Sequence, residues 1–216
     1  HGPLMEKREA YFGKIDENKV ILEMAVASGL PLVPEDKRDP RKTTSYGTGE
    51  MIKAALEAGF RDITIAIGGS ATNDGGMGCM RALGVKFLDE KGKELEGNGE
   101  DLKKIVNIDC SGLDLRIKDA AFTVMCDVTN PLTGENGASA VYGPQKGADP
   151  EMVQVLDAAL SNLAKVSEKV LGQDYAVCPG AGAAGGLSCG FCSVAGASVR
   201  MFWLARSKRL RRMSWL

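Results

Sequence analysis

Apolar and polar positions along the chain change period several times, and each change marks an element. The run Ile63-Thr64-Ile65-Ala66-Ile67 is β-branched and without a charged break, and it predicts a buried strand over Asp62–Ile67. It runs into Gly68-Gly69-Ser70-Ala71-Thr72-Asn73-Asp74-Gly75-Gly76, a loop with four glycines, two hydroxyls, one amide, one carboxylate and no bulky side chain. Gly75 to Leu83 then reads as a helix. Upstream, Tyr11–Ile15 and Lys19–Met24 flank Asp16-Glu17-Asn18 as a hairpin. Ala25–Leu30 is a short helical turn, and residues 31–41 form a loop with three prolines. Met51, Ile52, Ala55 and Leu56 share one face of a helix that stops near Gly59. Downstream, Val85–Leu88, Val106–Asp109 and Ala121–Val128 are predicted strands, with a short helix over Glu100–Lys104. Asp149-Pro150-Glu151 supplies a cap, a first-turn proline and a first-turn acid. The helix it opens carries an apolar stripe of Met152, Leu156, Ala159, Leu163, Val166 and Val170 and ends at Gly172. Helices alternate with strands, which predicts an α/β fold with a largely parallel sheet.

Candidate chemistry falls at the ends of these elements. A glycine-rich loop between strand and helix offers backbone N–H groups and a helix N-terminus to an anion. Ser70, Thr72 and Asn73 add hydroxyl and amide contacts there, and Asp74 is suited to face Mg²⁺. The plain alternative is a tight turn after a buried strand. The strand over Ala121–Val128 ends in Cys126-Asp127-Val128-Thr129-Asn130-Pro131. In open α/β sheets ligands bind beyond the carboxyl ends of strands, so Asp127 and the Gly68–Gly76 loop are expected to face one cleft. Thr43-Thr44-Ser45-Tyr46-Gly47-Thr48 precedes a helix and reads first as capping, secondly as an anion-friendly N-terminus. The long loop Leu132–Ala148 holds Lys146 between glycines; a loop of that length is functional or carries a short helix. Lys146 reads as a solvated lysine by default and as a phosphate-neutralising cation otherwise. Gly180-Ala181-Gly182-Ala183-Ala184-Gly185 fits G-x-G-x-x-G, yet no acidic residue lies downstream to hold a ribose, which argues against a dinucleotide site. Cys189 and Cys192 form an isolated C-x-x-C, read as coincidence.

Composition narrows the classes. The 216 residues are 44% hydrophobic and 25% charged, with a net charge of −1, which provides no footprint for nucleic acid or an acidic membrane. No apolar run reaches the ~18–20 residues of a spanning helix. The six cysteines are scattered, as in proteins with reduced cytosolic thiols, and a cytoplasmic location is expected. His1 is the only histidine, so no histidine-based triad or His-rich metal site is expected, and base chemistry falls to Asp, Glu or Lys. Charge is uneven: residues 1–174 carry a net −7, while the 42 residues after Asp174 hold six basic groups and no acid. The start at His1 and this basic end are expected to mark a partial product, with residues 189–216 a truncated or out-of-frame tail in preference to a basic binding arm.

Taken in order, Thr43–Glu50, Gly68–Gly76, Asp127–Pro131, Asn136–Gly147 and Pro179–Gly186 resemble the motifs of the bacterial-type glycerate kinase family. The resemblance runs from about residue 2 to about residue 188. It implies two α/β domains, one discontinuous and doubly wound with the other inserted into it, and the active site between them. Residues 1–188 would then be a partial kinase region, mostly inserted domain, without the family's N-terminal and C-terminal motifs. The resemblance further implies transfer of the γ-phosphoryl of ATP, with Mg²⁺, to a hydroxyl of D-glycerate, giving 2-phosphoglycerate in preference to 3-phosphoglycerate. In that frame Gly68, Gly69, Ser70, Thr72 and Asn73 hold phosphate or the glycerate carboxylate. Asp74 or Asp127 holds Mg²⁺ or accepts the hydroxyl proton, Lys146 neutralises developing charge, and Thr43, Thr44 and Thr48 line the same cleft. Its partners are small molecules, with no nucleic acid and no membrane. The rival expectation is an inactive fragment or a non-catalytic binding module with a basic arm.

Overall fold

The computed structural model describes residues 1–172, 174, 176, 178–195 and 199–203, the last five and residues 191–195 by backbone alone. A five-stranded sheet runs through it. The strands are β1 (Gly13–Lys14), β2 (Lys19–Glu23), β3 (Asp62–Ala66), β6 (Ala121–Cys126) and β7 (Val199–Trp203), in that spatial order. β1 is antiparallel to β2, and the other pairs are parallel. A second, two-stranded sheet pairs β4 (Lys86–Leu88) with β5 (Asn107–Asp109) antiparallel. The fold is mixed α/β, as the alternation predicts.

Register explains the core. Val20, Ile63 and Phe122 lie in one row across the parallel strands, and Leu22, Ile65 and Val124 in the next. All six side chains are buried. Because side chains alternate between faces with a period of two, these rows line one face of the sheet. Helix α1 (Ala25–Ser28) follows β2 and packs beside α2 (Tyr46–Glu57), which in turn packs against α3 (Met77–Ala82). Met51, Ile52, Ala55 and Leu56 of α2 join Met77 and Met80 of α3 in that core. Each such side chain stabilises by roughly 1.5–3 kcal/mol on burial.

The hairpin, the end of α2 and the start of the long helix follow their sequence signals. The Asp16 carboxylate accepts from Asn18 N and Lys19 N and fixes the β1–β2 turn. Helix α5 (Pro150–Leu171) opens with the Asp149 carboxylate accepting from Met152 N and closes at Gly172, φ +75°. The short helix expected at 100–104 is a 3₁₀ turn, Asp101–Lys104. The long loop 132–148 carries α4 (Ala138–Tyr142) and a 3₁₀ turn, Pro144–Lys146.

Three expectations shift. The helix read from Gly75 begins at Met77, because Gly75 and Gly76 are left-handed, φ +61° and +75°. At Gly75 a Cβ would also stand 2.2 Å from Leu163 Cδ2, so loop and long helix meet where only glycine fits. The apolar stripe of α5 stops early: Leu156, Ala159 and Leu163 are buried, whereas Val170 is 39% exposed on the last turn. Ser45, a candidate cap for α2, makes no side-chain cap bond and turns instead to Asp74. Of the basic tail, residues 189–195 continue the segment α6 (Ala183–Ala195) and residues 199–203 form β7, while 204–216 lie outside them.

Candidate active site

β3 and β6 are neighbours, with Ala66 paired to Met125 at their carboxyl ends. Both chains then leave the sheet on the same side. A cavity of about 280 Å³ opens there. Ile67 to Ser70 line it after β3, and Cys126 to Val128 after β6. Tyr142, Gln145 and Lys146 close it from α4 and the turn behind it, and Ala183 and Ala184 from the first residues of α6, where the backbone at 184–186 is not helical. The volume is at the small end for ligand pockets, which usually span roughly 300–1,000 Å³. It suits a small anionic molecule or one end of a larger one.

The loop after β3 presents open backbone. A Cβ on Gly68 would meet no atom within 4 Å, and Gly69 sits at φ +71°. Both glycines are exposed and line the cavity. Ser70 follows, 7% exposed, and beside it lies Lys146, only 2% exposed. Lys146 Nζ donates to Ser70 Oγ at 3.0 Å and to the Thr72 carbonyl oxygen at 2.6 Å. Burial pushes the lysine down to about 8, against an opposing pull from the Asp74 carboxylate. The default reading of a solvated lysine is therefore overturned: Gly147, φ +97°, turns the chain so that Lys146 points inward. On the other wall, Asp127 is exposed at the cavity mouth.

Five of the eleven expected site residues thus meet around one cavity: Gly68, Gly69, Ser70, Asp127 and Lys146. The other six lie beneath it. Asp74 has no exposed surface, and in place of the cleft-facing position expected of it, its carboxylate turns inward. It accepts from Ser45 N and Ser45 Oγ, both at 2.7 Å, and from Gly76 N and Gly78 N. Burial pushes its carboxyl up while these four donors pull it down. With its lone pairs committed, it ties the start of α2 to the start of α3. Ser45 Oγ completes the tie by accepting from Cys79 N at 2.9 Å. Thr43, Thr44 and Thr48 do not line the cleft either. Thr43 donates to the Ala71 carbonyl and Thr44 to the Gly97 carbonyl, and Thr48 shares a hydrogen bond with Ser28. All three are buried scaffold. Thr72 and Asn73 are buried as well; Asn73 Nδ2 donates to Ser139 Oγ at 3.1 Å, and Thr72 Oγ1 and Asn73 Oδ1 have no hydrogen-bond partner among the described residues.

Sequence reasoning missed the third wall. Tyr142 donates from its hydroxyl to Asn130 Oδ1 at 2.7 Å, and Asn130 Nδ2 donates to the Asn136 carbonyl. These bonds hold α4 against the segment after β6. The available signal was the aromatic inside the glycine-spaced stretch Val141–Gly147. The G-x-G-x-x-G loop has a packing task. Gly185 O accepts from Gly75 N, Gly182 N donates to the Asn130 carbonyl, and a Cβ on Gly185 would lie 2.0 Å from the Thr72 carbonyl oxygen. Its glycines let three loops touch, and Ala184, at φ +53°, faces the cavity from among them.

Comparison with known proteins identifies the family. The model of the glycerate kinase family matches residues 1–203. The chain is 52% identical over 200 residues to the glycerate 2-kinase of Escherichia coli (strain K12), covering 92% of this chain and 52% of that protein. It is 52% identical to the glycerate kinase of Bacillus subtilis (strain 168), covering 86% and 49% respectively. A crystal structure of a Salmonella typhimurium LT2 protein, provisionally described as glycerate kinase 2, superposes with a TM-score of 0.90 at 47% identity, covering 94% of this chain and 54% of that one. The chain spans about half the length of the curated relatives it matches. It belongs to the glycerate kinase family.

Proposed function

We propose that this chain carries one side of a phosphotransferase site that moves the γ-phosphoryl group of ATP to a hydroxyl of D-glycerate, forming 2-phosphoglycerate. The observation that carries the reading is the meeting of Gly68–Ser70, Asp127 and Lys146 around one small cavity at two adjacent parallel strand ends. Phosphoryl transfer asks the protein mainly for positioning and charge neutralisation. The open backbone at Gly68 and Gly69 and the Ser70 hydroxyl receive an anionic group, a phosphate or the glycerate carboxylate. The Lys146 ammonium, buried and little screened, offsets its charge. Asp127 is the carboxylate within reach of a substrate hydroxyl and accepts its proton or takes the metal. Asp74, saturated by four donors, keeps the loop in shape.

Mg²⁺ is commonly held by one or two carboxylates together with substrate phosphates, and Asp127 meets that requirement. Among the described residues no three His, Cys, Asp or Glu side chains gather into an all-protein metal cage. When bound with ATP, the ion would supply charge neutralisation on the phosphoryl oxygens. The cavity accommodates D-glycerate or the terminal phosphates, and the nucleotide's remaining contacts belong to other surfaces. Use of ATP and the free thiols Cys79, Cys110, Cys126, Cys178 and Cys189 fit a cytoplasmic enzyme. No described helix is long and apolar enough to cross a membrane.

The test is ATP- and Mg²⁺-dependent phosphorylation of D-glycerate by the purified chain, with the product identified by phosphorus and proton NMR. Formation of 2-phosphoglycerate supports the reading in full, and formation of 3-phosphoglycerate corrects the hydroxyl. Binding of D-glycerate without turnover is consistent with a chain that carries one side of the site, and binding with no dependence on Asp127 or Lys146 would favour the second reading, a binding module. Absence of both binding and turnover in the folded chain would overturn both readings.

A further inference from the structure

The Lys146–Ser70 pair carries more than a positive charge. A lysine ammonium has three donors and no acceptor, and a serine hydroxyl has one donor and two acceptor positions. Since Lys146 Nζ lies 3.0 Å from Ser70 Oγ, the lysine donates and the serine accepts. The hydrogen on Ser70 must therefore point elsewhere. A second ammonium hydrogen is committed to the Thr72 carbonyl oxygen at 2.6 Å. The third has no protein acceptor among the bonds of the described residues, although Thr72 Oγ1 is buried nearby and unpartnered. Ser70 and Lys146 both line the cavity.

We infer that Lys146 is a positioning residue for Ser70: it fixes the serine hydroxyl as a donor, so that Ser70 O–H and the remaining Lys146 N–H form a two-donor hook for an anionic oxygen. The inference rests on the kinase reading only in supposing that the ligand is anionic. The chemistry it recognises is an oxygen of a carboxylate or a phosphoryl group. Charge-assisted bonds of this kind are short and strong, and the burial of both side chains removes competing water. A serine without the lysine would rotate freely and serve as donor or acceptor alike. Its contribution to anion binding should therefore depend on Lys146.

The experiment is a double-substitution cycle on the 216-residue chain, with affinities for D-glycerate and for inorganic phosphate measured by calorimetry and folding checked by melting. Ser70→Ala should weaken the recognised anion about tenfold, the equivalent of one charge-assisted hydrogen bond. In the Lys146→Met background the same change should cost less than about twofold, since the hydroxyl is no longer oriented. Ser70→Thr, which keeps the hydroxyl, should restore binding where Ser70→Ala does not, a rescue that a purely structural serine would not show. Should Lys146→Met fail to fold, the contrast between Ser70→Thr and Ser70→Ala decides. The two probes tell the sources apart: an effect on D-glycerate assigns the hook to the acceptor's carboxylate, an effect on phosphate assigns it to the phosphoryl donor. Equal effects of Ser70→Ala in both backgrounds, or a wild-type chain that binds neither probe, overturn the hook. Turnover without this coupling would sink the hook and leave the kinase reading standing; coupling without turnover would do the reverse.

Discussion

Asp74 and Asp127, with α3 and the strands β4, β5 and β6 between them in the sequence, take opposite tasks. Asp74 is buried under four donors, so Asp74→Ala should leave buried N–H groups at the starts of α2 and α3 without an acceptor. The expected loss is about 3 kcal/mol or more of unfolding free energy, read from urea denaturation. Asp127 is exposed, and Asp127→Asn should change that free energy by less than about 0.5 kcal/mol. Its effect should instead appear as a fall of about a hundredfold or more in phosphorylation of D-glycerate by the intact kinase. If the two substitutions exchanged these effects, the division of roles would be wrong. Gly68 permits a finer test. Nothing stands within 4 Å of its missing Cβ and its φ is not left-handed, so Gly68→Ala should fold normally. Gly68 lines the cavity, and the result expected of the added methyl group is a raised KM for D-glycerate with an unchanged melting temperature.

At the scale of elements, the sheet sets where strands end and the loops set how closely those ends approach. Gly185, at φ +69°, sits against the Thr72 carbonyl, and the non-helical start of α6 can dock on the loop after β3 only without a side chain there. Gly185→Ala combines a left-handed backbone with a Cβ only 2.0 Å from the Thr72 carbonyl oxygen. It should destabilise by about 2 kcal/mol or more and distort the cavity wall at Ala184. Asp149→Ala removes the cap of α5 and nothing of the cavity lining. Its expected loss is about 1 kcal/mol, with affinity for D-glycerate unchanged. The contrast between these two substitutions separates a loop that shapes the cavity from a helix end that supports the fold.

At the scale of the whole molecule, burial of Lys146 couples stability and binding to pH. Its folded value, about 8, lies below the usual 10.5. Between these two values the unfolded chain binds more protons than the folded one, so stability rises with pH across that window; below about 8 both states carry the ammonium, the slope disappears and the full cost of burying the charge remains. An anion in the cavity requires the charged form and favours it. Binding should therefore take up a proton above pH 8, and affinity should fall by up to tenfold per pH unit from there, as calorimetry in buffers of different ionisation enthalpy can measure. In the Lys146→Met chain both slopes should disappear.

What was legible in the sequence was local. Alternation and β-branching mark β3 and β6, the Asp-Pro-Glu start and Gly172 bracket α5, and the small polar loop marks a place where backbone meets something. These signals depend on residues adjacent in the chain or one helical turn apart. The order of motifs also indicated the family before any coordinates. Which polar residues face the cavity was decided only in three dimensions. Asp74 and Lys146 both look solvent-ready as residue types, yet one is saturated by donors from two helix starts and the other is folded against a loop 74 residues away. Tyr142 and Ala184 reach the cavity because α4 and the glycine-rich loop dock on the strand ends. Burial and hydrogen-bond commitment are properties of contacts distant in sequence, and a linear pattern holds no record of which partners will consume a polar group's bonding capacity.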